Sequence, residues 1–442
     1  MTTLKSRNII DFILTVFLVI GFIILISMRD TLSRQLFVGT MFILVDIYAL
    51  IGFLSLVDDK RSKWIMAAIY IAISIYGYYG MFVAFERWRT EPGLASSLNN
   101  FTIGFAFTLL VSKFVLILGL VLQDIVRIIF GLGQGAISLF VETDSSGLLP
   151  GRRKFFTAAA TGIASIPFFS MLYGITSGKY KYTVERLKLN IADLPKEFNG
   201  LKVVQISDAH AGSWDSIENV AEGIRKINEL KPDIVVFTGD LVNGNKNEID
   251  PFIDVFAQID APLGKFAVLG NHDYYGTPRD HDKRDNYWAD FYNKYRQMGF
   301  DLILNDNRTI TRNNESIKII GVENWGAGRW FPKKGDLDKA CIGCSDDEFA
   351  ILLSHDPTHF DEHVVDHRKK VHLTLSGHTH GMQFGVKFKN FKWSPVQYRY
   401  KKWMGLYEVK DQLLYVNRGF GFLGFPGRVG MWPEITCLEL YS

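Results

Sequence analysis

Apolar positions divide this chain into two unlike halves, with uncharged runs crowded into the first 176 residues. Phe12–Met28 is a run of 17 residues without a charge, and Trp64–Phe85 is one of 22. Leu36–Val57 is apolar apart from Asp46, and Phe101–Leu122 apart from Lys113. A helix rises about 1.5 Å per residue, so roughly 20 residues cross a hydrocarbon layer of about 30 Å. Four such runs predict an all-α, four-helix transmembrane region over residues 1–130. A fifth uncharged segment, Phe155–Ile175, follows a basic loop, so residues 131–178 are expected to hold that loop and an anchoring helix.

The pattern changes in the second half. Lys179–Asn199 is polar and mixed, and residues 179–200 read as a linker. From Leu201 onward, short β-type runs alternate with helical stretches. The runs are Lys202–Ile206, Asp233–Phe237, Lys265–Leu269, Phe349–Leu353 and Val371–Leu375. The helices are expected near Ser216–Leu230, Pro251–Gln258 and Asp285–Met298. This alternation predicts an α/β domain over residues 201–442.

Each predicted strand end is followed by a cluster of metal-ligand residue types. The clusters are Asp208-Ala-His210, Gly239-Asp240, Gly270-Asn271-His272-Asp273, Ser354-His355 and Gly377-His378-Thr379-His380. All ten histidines lie between His210 and His380. In open α/β sheets, sites form outside the carboxyl ends of the strands, so clusters distant in sequence can converge. Two metals about 3.5–4 Å apart would activate a water and absorb charge on phosphoryl oxygens. None of the clusters contains a thiolate, and mixed nitrogen and oxygen ligands suit manganese, iron or zinc. Neither a GxxxxGK[ST] phosphate loop nor a GxSxG nucleophile elbow is present. A net charge of +3 gives no argument for nucleic acid, and three cysteines are too few for a disulfide framework.

The ordered set D-x-H, G-D, G-N-H-D, H and G-H-x-H resembles the calcineurin-like metallophosphoesterase superfamily from Leu201 to the C-terminus. The membrane-anchored layout resembles a bacterial subgroup with transmembrane or twin-arginine leaders. The resemblance implies a β-sandwich flanked by helices and a dinuclear centre. In that centre Asp208, His210 and His380 hold one divalent metal, Asn271, His355 and His378 hold the other, and Asp240 bridges them. It further implies that His272 assists phosphoryl transfer without binding metal, and that Asp273 supports the ligands from behind. The expected reaction is hydrolysis of a phosphodiester or pyrophosphate by a metal-bridging hydroxide. A lipid or cell-envelope substrate at a bacterial inner membrane is favoured because the anchor holds the site near a bilayer. The alternatives are a UDP-2,3-diacylglucosamine-type pyrophosphate hydrolase of lipid A synthesis facing the cytoplasm, and a metal-binding sensor or transporter-linked domain without turnover.

Loop charges bear on orientation. Lys5, Arg7, Lys60, Arg61, Lys63, Arg127, Arg152, Arg153 and Lys154 fall on one side, and Arg29, Arg34, Arg87 and Arg89 on the other, nine against four. The first side is therefore expected inside, and five spans place the catalytic domain outside. Gly151-Arg-Arg-Lys-Phe-Phe156 is similar to a twin-arginine export motif, though an ordinary basic helix flank reads the same way. Asp46 and Lys113 are read as a structural pair between helices, and His359, His363 and His367 as a solvated polar face. Cys341-Ile-Gly-Cys344 is a local loop or, outside the cell, a disulfide. Lys387–Trp393 and Tyr398–Trp403 interleave bases and aromatics, as in an exposed hairpin or a surface at lipid headgroups. Arg418 and Arg428, in a glycine- and aromatic-rich stretch, are expected at the rim as candidate groups for a substrate phosphate.

Overall fold

The structure is a computed structural model that describes residues 31–84, 86, 96–138, 150–389 and 391–442. The chain forms two compact units. One comprises Met1–Ala84 and Phe105–Leu172, the other Phe85–Gly104 and Tyr173–Ser442.

The first unit is helical. Helix α1 spans Thr31–Leu54, α2 spans Lys60–Tyr79 and runs on as a π-helical turn over Gly80–Ala84, α3 spans Ser97–Ser138 and α4 spans Pro150–Thr176. Lys60–Ala84, Ser97–Val126 and Lys154–Thr176 are long and apolar enough to cross a membrane, and Thr40–Leu54 is a shorter apolar helix. The expected span Phe12–Met28 lies outside the described residues. Small residues let these helices approach closely: a side chain at Gly52 would meet Leu120, and one at Gly119 would meet Ala160. Asp46 and Lys113 form an ion pair at 2.5 Å. Tyr70 donates to Asp46 at 2.7 Å, and Lys113 donates to Ser74 at 2.9 Å. Tyr78 donates to the other Asp46 oxygen, so both carboxylate oxygens and the ammonium have partners, as a low-dielectric setting requires.

The second unit is a sandwich of two six-stranded sheets. The first sheet contains β1 (Thr183–Asn190), β2 (Leu201–Ile206), β3 (Ile234–Phe237), β4 (Lys265–Ala267), β5 (Asp301–Leu302) and β14 (Glu434–Tyr441), in the order β1-β14-β2-β3-β4-β5. The second contains β6 (Asp306–Arg312), β7 (Glu315–Gly321), β8 (Phe349–Leu353), β9 (Leu373–Ser376), β12 (Gly405–Val409) and β13 (Gln412–Val416), in the order β12-β13-β9-β8-β7-β6. A separate hairpin joins β10 (Val386–Phe388) to β11 (Phe391–Trp393). The inner faces meet through Val203, Val236 and Leu438 on one side and Ile319, Ile351, Leu373 and Leu375 on the other. The outer face of the first sheet buries Val204, Val235 and Phe237 against Val220, Ile224, Phe256 and Phe291 from its helices. The outer face of the second buries Leu352 and Leu414 against Leu337, Phe360 and Val364. β2, β3 and β8 carry apolar residues on both faces because both are covered, whereas β9 alternates Leu373 and Leu375 with the buried Thr374 and Ser376.

Residues 179–200 are not a linker. They contain β1, which pairs in parallel with β14 from Thr183↔Glu434 to Asn190↔Tyr441. As an edge strand with one wet face, β1 has the mixed composition of a linker. Ser97–Gly104 and Tyr173–Thr176 also belong to the second unit. Asn100 Nδ2 donates to the Ser213 carbonyl at 2.9 Å and to Asp215 at 3.0 Å. Asp215 in turn pairs with Lys179 at 2.5 Å and accepts from Tyr180 at 2.9 Å.

Removing one partner of a desolvated ion pair costs more than removing both. Lys113→Ala is expected to lower stability in detergent by about 3 kcal/mol. The Asp46→Leu/Lys113→Met double variant should lose clearly less, as read from thermal midpoints of the two purified proteins.

Candidate metal centre

Five loops at the carboxyl ends of β2, β3, β4, β8 and β9 carry the candidate residues, and the parallel registers β2–β3–β4 and β8–β9 set those ends side by side. The loops turn sharply. Asp208, His210, Asp240, His378 and His380 all have positive φ, between 49° and 72°. Non-glycine residues take this conformation at a cost that surrounding structure must hold, and such positions cluster at functional sites. Gly270 and Gly377 are glycine because the neighbouring loops leave no room for a Cβ. A Cβ at Gly377 would lie 1.9 Å from Ser207 Oγ and 2.2 Å from Asp208 Oδ2, and one at Gly270 would lie 2.2 Å from Asp240 Oδ1.

The loops bring two groups of donors together. Asp208, His210 and His380 form one, Asp240, His355 and His378 the other, with ligand atoms in each within 4.8 Å of one another. In the first, His210 Nε2 faces His380 Nε2 at 3.0 Å, and His380 Nε2 lies 3.1 Å from Asp208 Oδ1. In the second, His355 Nε2 lies 3.1 Å from Asp240 Oδ2 and 3.3 Å from His378 Nδ1, and Asn271 Oδ1 lies 2.9 Å from His378 Nδ1. Asp240 Oδ2 is also 3.6 Å from His210 Nε2, so this carboxylate stands between the groups. Lone pairs here outnumber the protons available to satisfy them. Two divalent cations fit that excess, and imidazole, carboxylate and amide oxygen suit a borderline metal.

Backbone groups fix the ligands. His355 Nδ1 donates to the Thr238 carbonyl at 2.7 Å, turning Nε2 into the site. Asp208 accepts from the His378 amide at 3.0 and 2.9 Å through its two oxygens. Asp273 accepts from the amides of Gly270 at 2.8 Å, Asp240 at 3.0 Å and Leu241 at 2.9 Å, so it braces two of the loops. Burial and the neighbouring Asp240 push the Asp273 carboxyl up to about 7. Burial alone would lower His355, but Asp240 and Asp208 outweigh it and hold the imidazole at about 10. Burial, then His380 and His272, push His210 well below the usual histidine range. Opposed shifts of this kind cluster at functional sites.

His272 is half-buried, with its ring 4.9 Å from that of His210. Its Nδ1 bonds the Asn243 carbonyl at 2.8 Å and its amide donates to Asp240 Oδ1 at 2.8 Å, which leaves Nε2 for a ligand. Asn243 is itself held through its amide by Glu248 at 2.5 Å.

Residues 201–382 match the family model described as calcineurin-like phosphoesterase, and residues 29–179 match one described as a probable calcineurin-like phosphoesterase transmembrane domain. An "Uncharacterized metallophosphoesterase YkuE" of Bacillus subtilis is 32% identical over 254 residues, 56% of this chain and 82% of that protein. The chain belongs to the calcineurin-like phosphoesterase family. The metallophosphoesterase domain makes it a metal-dependent phosphoester hydrolase, and its second matched region makes it a membrane protein. A "UDP-2,3-diacylglucosamine pyrophosphatase LpxG" of Chlamydia trachomatis is 31% identical over 315 residues, 60% of this chain and 91% of that protein. A "Transmembrane protein with metallophosphoesterase domain" of Danio rerio is 29% identical over 276 residues, and the match spans 61% of this chain and 60% of that protein.

Within this metallophosphoesterase unit two sequence expectations change. Arg418 and Arg428 are not rim groups, since they are only 2% and 0% exposed. Arg418 pairs with Glu434 and donates to Glu185 at 2.7 Å. Arg428 donates to the carbonyls of Gly421, Met431 and Arg418 at 2.7, 3.0 and 2.9 Å, and its Nη2 lies 3.2 Å from His380 Nδ1. Both guanidiniums tie the glycine-rich loops together from within. The histidine stripe is also not uniformly solvated: His359 is buried, with Nδ1 2.9 Å from Ser354 Oγ. Cys341, Cys344 and Cys437 are free thiols.

Tyr400 and Asp356 were not singled out by sequence. Tyr400 Oη is 2.8 Å from His378 Nε2, and Asp356 Oδ2 is 3.4 Å from the same nitrogen. Asp356 beside His355 was a legible signal; Tyr400, far along the chain, was not.

Burial holds His359 neutral down to about 3, against 6.5 in the unfolded chain. The unfolded state therefore binds one more proton between these values, and stability falls as pH drops through that window. The limit is about 1.4 kcal/mol per pH unit. His359→Gln should flatten the fall of the fluorescence-detected thermal midpoint between pH 6 and pH 4.

Proposed function

We propose that this protein is a membrane-anchored phosphohydrolase with a dinuclear centre, cleaving a phosphodiester or pyrophosphate in a lipid or cell-envelope substrate. The observation that carries the reading is Asp240, whose carboxylate stands 3.1 Å from His355 and 3.6 Å from His210, between two separate donor groups. Asp208, His210 and His380 hold one divalent ion, Asn271, His355 and His378 hold the second, and Asp240 serves both. Manganese, iron and zinc all fit this donor set. Bound there, two such ions lower the pKa of water and neutralise charge on phosphoryl oxygens. Asp273 keeps the Asp240 loop in its strained conformation through backbone amides. His272, with Nδ1 committed to the Asn243 carbonyl, presents Nε2 to stabilise the phosphoryl group or protonate the leaving oxygen.

A second reading, hydrolysis of UDP-2,3-diacylglucosamine, is supported by the Chlamydia trachomatis relative, of which this chain covers 91%. The two readings differ in where the catalytic unit lies. The loop charges, nine basic residues against four, favour the outer face of a bacterial inner membrane. The nucleotide-linked substrate requires the cytoplasmic face.

The full-length protein is expected to hydrolyse bis(4-nitrophenyl) phosphate with added manganese and to carry two metals per chain by elemental analysis. Asp240→Asn should abolish turnover and lower metal content. His272→Ala should lose about 100-fold in kcat while keeping both metals. Two bound metals without turnover in any divalent ion would sink the enzyme reading, and full activity in Asp240→Asn would sink the site assignment. A phosphatase reporter fused after Ser442 should be active outside the cytoplasm. A reporter that fluoresces only inside would favour the nucleotide-linked substrate.

A further inference from the structure

The hairpin β10–β11 separates an apolar face from a lysine face and leaves most of the apolar one uncovered. Its register pairs Val386 with Trp393, Lys387 with Lys392 and Phe388 with Phe391. Side chains alternate across a strand, so the apolar pairs share one face and the lysine pair lies on the other. Both lysines are themselves exposed, but their head groups reach back to the protein. Lys387 pairs with Glu185 at 2.5 Å, and Lys392 donates to the Met404 carbonyl at 2.7 Å and lies 4.8 Å from the Tyr407 ring. On the apolar face Val386 is 50%, Phe388 68% and Phe391 61% exposed, Trp393 at its base is half-buried, and Met382 ahead of it is 58% exposed. Lys389, at the turn, places its ammonium 5.7 Å from the Phe388 ring. An unpartnered apolar face held outward by charged anchors marks a binding surface.

Its neighbours within the catalytic unit indicate what that surface meets. Phe384 bridges Val429, and the Gly385 amide donates to the Val429 carbonyl at 2.9 Å. The adjoining Arg428 amide donates to the carbonyl of Gly174 at 3.3 Å, two residues before α4 ends. That end of α4 terminates a span of membrane-crossing length, Lys154–Thr176. Around it, Tyr173 packs edge-on to Trp432 at 5.7 Å, and Lys181 lies 5.0 Å from the Trp432 ring. Tyrosine, tryptophan and lysine at a span end are the residues favoured at lipid headgroups. One stretch, Arg428–Val429, thus touches both the span end and the base of the hairpin. The hairpin's two ends also lead to the metal centre: one departs from His380, the other returns to Tyr400, whose hydroxyl is 2.8 Å from His378 Nε2.

We propose that the β10–β11 hairpin docks into the headgroup layer of the bilayer that this chain's own helices cross, with Phe388 and Phe391 inserted and Lys389 at anionic headgroups. Tethering removes most of the entropic cost of that contact, so a small apolar face suffices. Docking presents the metal centre to a substrate that stays in the bilayer, a step that rests on the proposed hydrolase function. The docking itself rests only on the membrane domain.

The test uses the full-length protein in vesicles of phosphatidylethanolamine and phosphatidylglycerol, with Phe388 replaced by the photo-crosslinker p-benzoylphenylalanine. Irradiation should yield a lipid adduct on the peptide that contains position 388. A cross-link to a second copy of the chain, or no lipid adduct, overturns the proposal. In a second arm, Phe388→Ser/Phe391→Ser should lower kcat/KM about tenfold on a bilayer-held phosphodiester and leave turnover of bis(4-nitrophenyl) phosphate unchanged. Equal loss on both substrates, or no loss on either, overturns it. If the wild type hydrolyses neither substrate, the hydrolase reading falls, and the photo-adduct still decides the docking.

Discussion

Three carboxylates, Asp208, Asp240 and Asp273, are buried together in one layer above the strand ends, and much of the catalytic unit is arranged around holding them there. Unpaired, each would cost several kcal/mol or take up a proton. Asp273 is solvated by backbone amides, Asp208 by the His378 amide, and Asp240 by the His272 amide and the His355 imidazole. The positive-φ conformations of the ligand loops follow from this, since they aim amides and donor atoms at one small volume. The carboxylate oxygens that backbone amides leave unsatisfied are those that metal ions would take up.

Behind this layer, a second set of buried charges holds the C-terminal loops. Arg418 with Glu434 and Glu185, and Arg428 with a ring of carbonyls, lock the glycine-rich stretch 418–434 against the ends of the strands. Arg428 reaches His380 on one side, and its own amide reaches Gly174 on the other. The metal centre and the end of an apolar helix therefore share one supporting residue within the same compact unit. Asp215 plays a similar part elsewhere in that unit, gathering Asn100, Lys179 and Tyr180.

The legibility of each element depended on how it is buried. β3 and β8 are covered on both faces and read as continuous apolar runs, β2 as a largely apolar one and β9 as an alternating one, each ending where a ligand cluster begins. β1 lies at an edge with one wet face, and its mixed composition looked like a linker. The short β5 and the antiparallel pair β6–β7 carried no chemistry to draw attention. The candidate ligands were legible because metal chemistry admits few residue types and because their order along the chain is distinctive. Tyr400 and Asn243 were not, since a hydroxyl or a carbonyl that orients a histidine has no compositional signature.

By itself, the sequence determined the two-part organisation, the helical membrane region, the reaction class and the residues gathered at the strand ends. Those features rest on local rules: apolar length for a span, periodicity for a strand, donor chemistry for a metal. Tertiary structure alone decided that Arg418 and Arg428 face inward, that His359 is buried, and that the hairpin shows its aromatic face to the outside. Which way a polar or amphipathic side chain turns is set by partners tens to hundreds of residues away, such as Glu434 for Arg418 and Glu185 for Lys387. No local pattern encodes those partners.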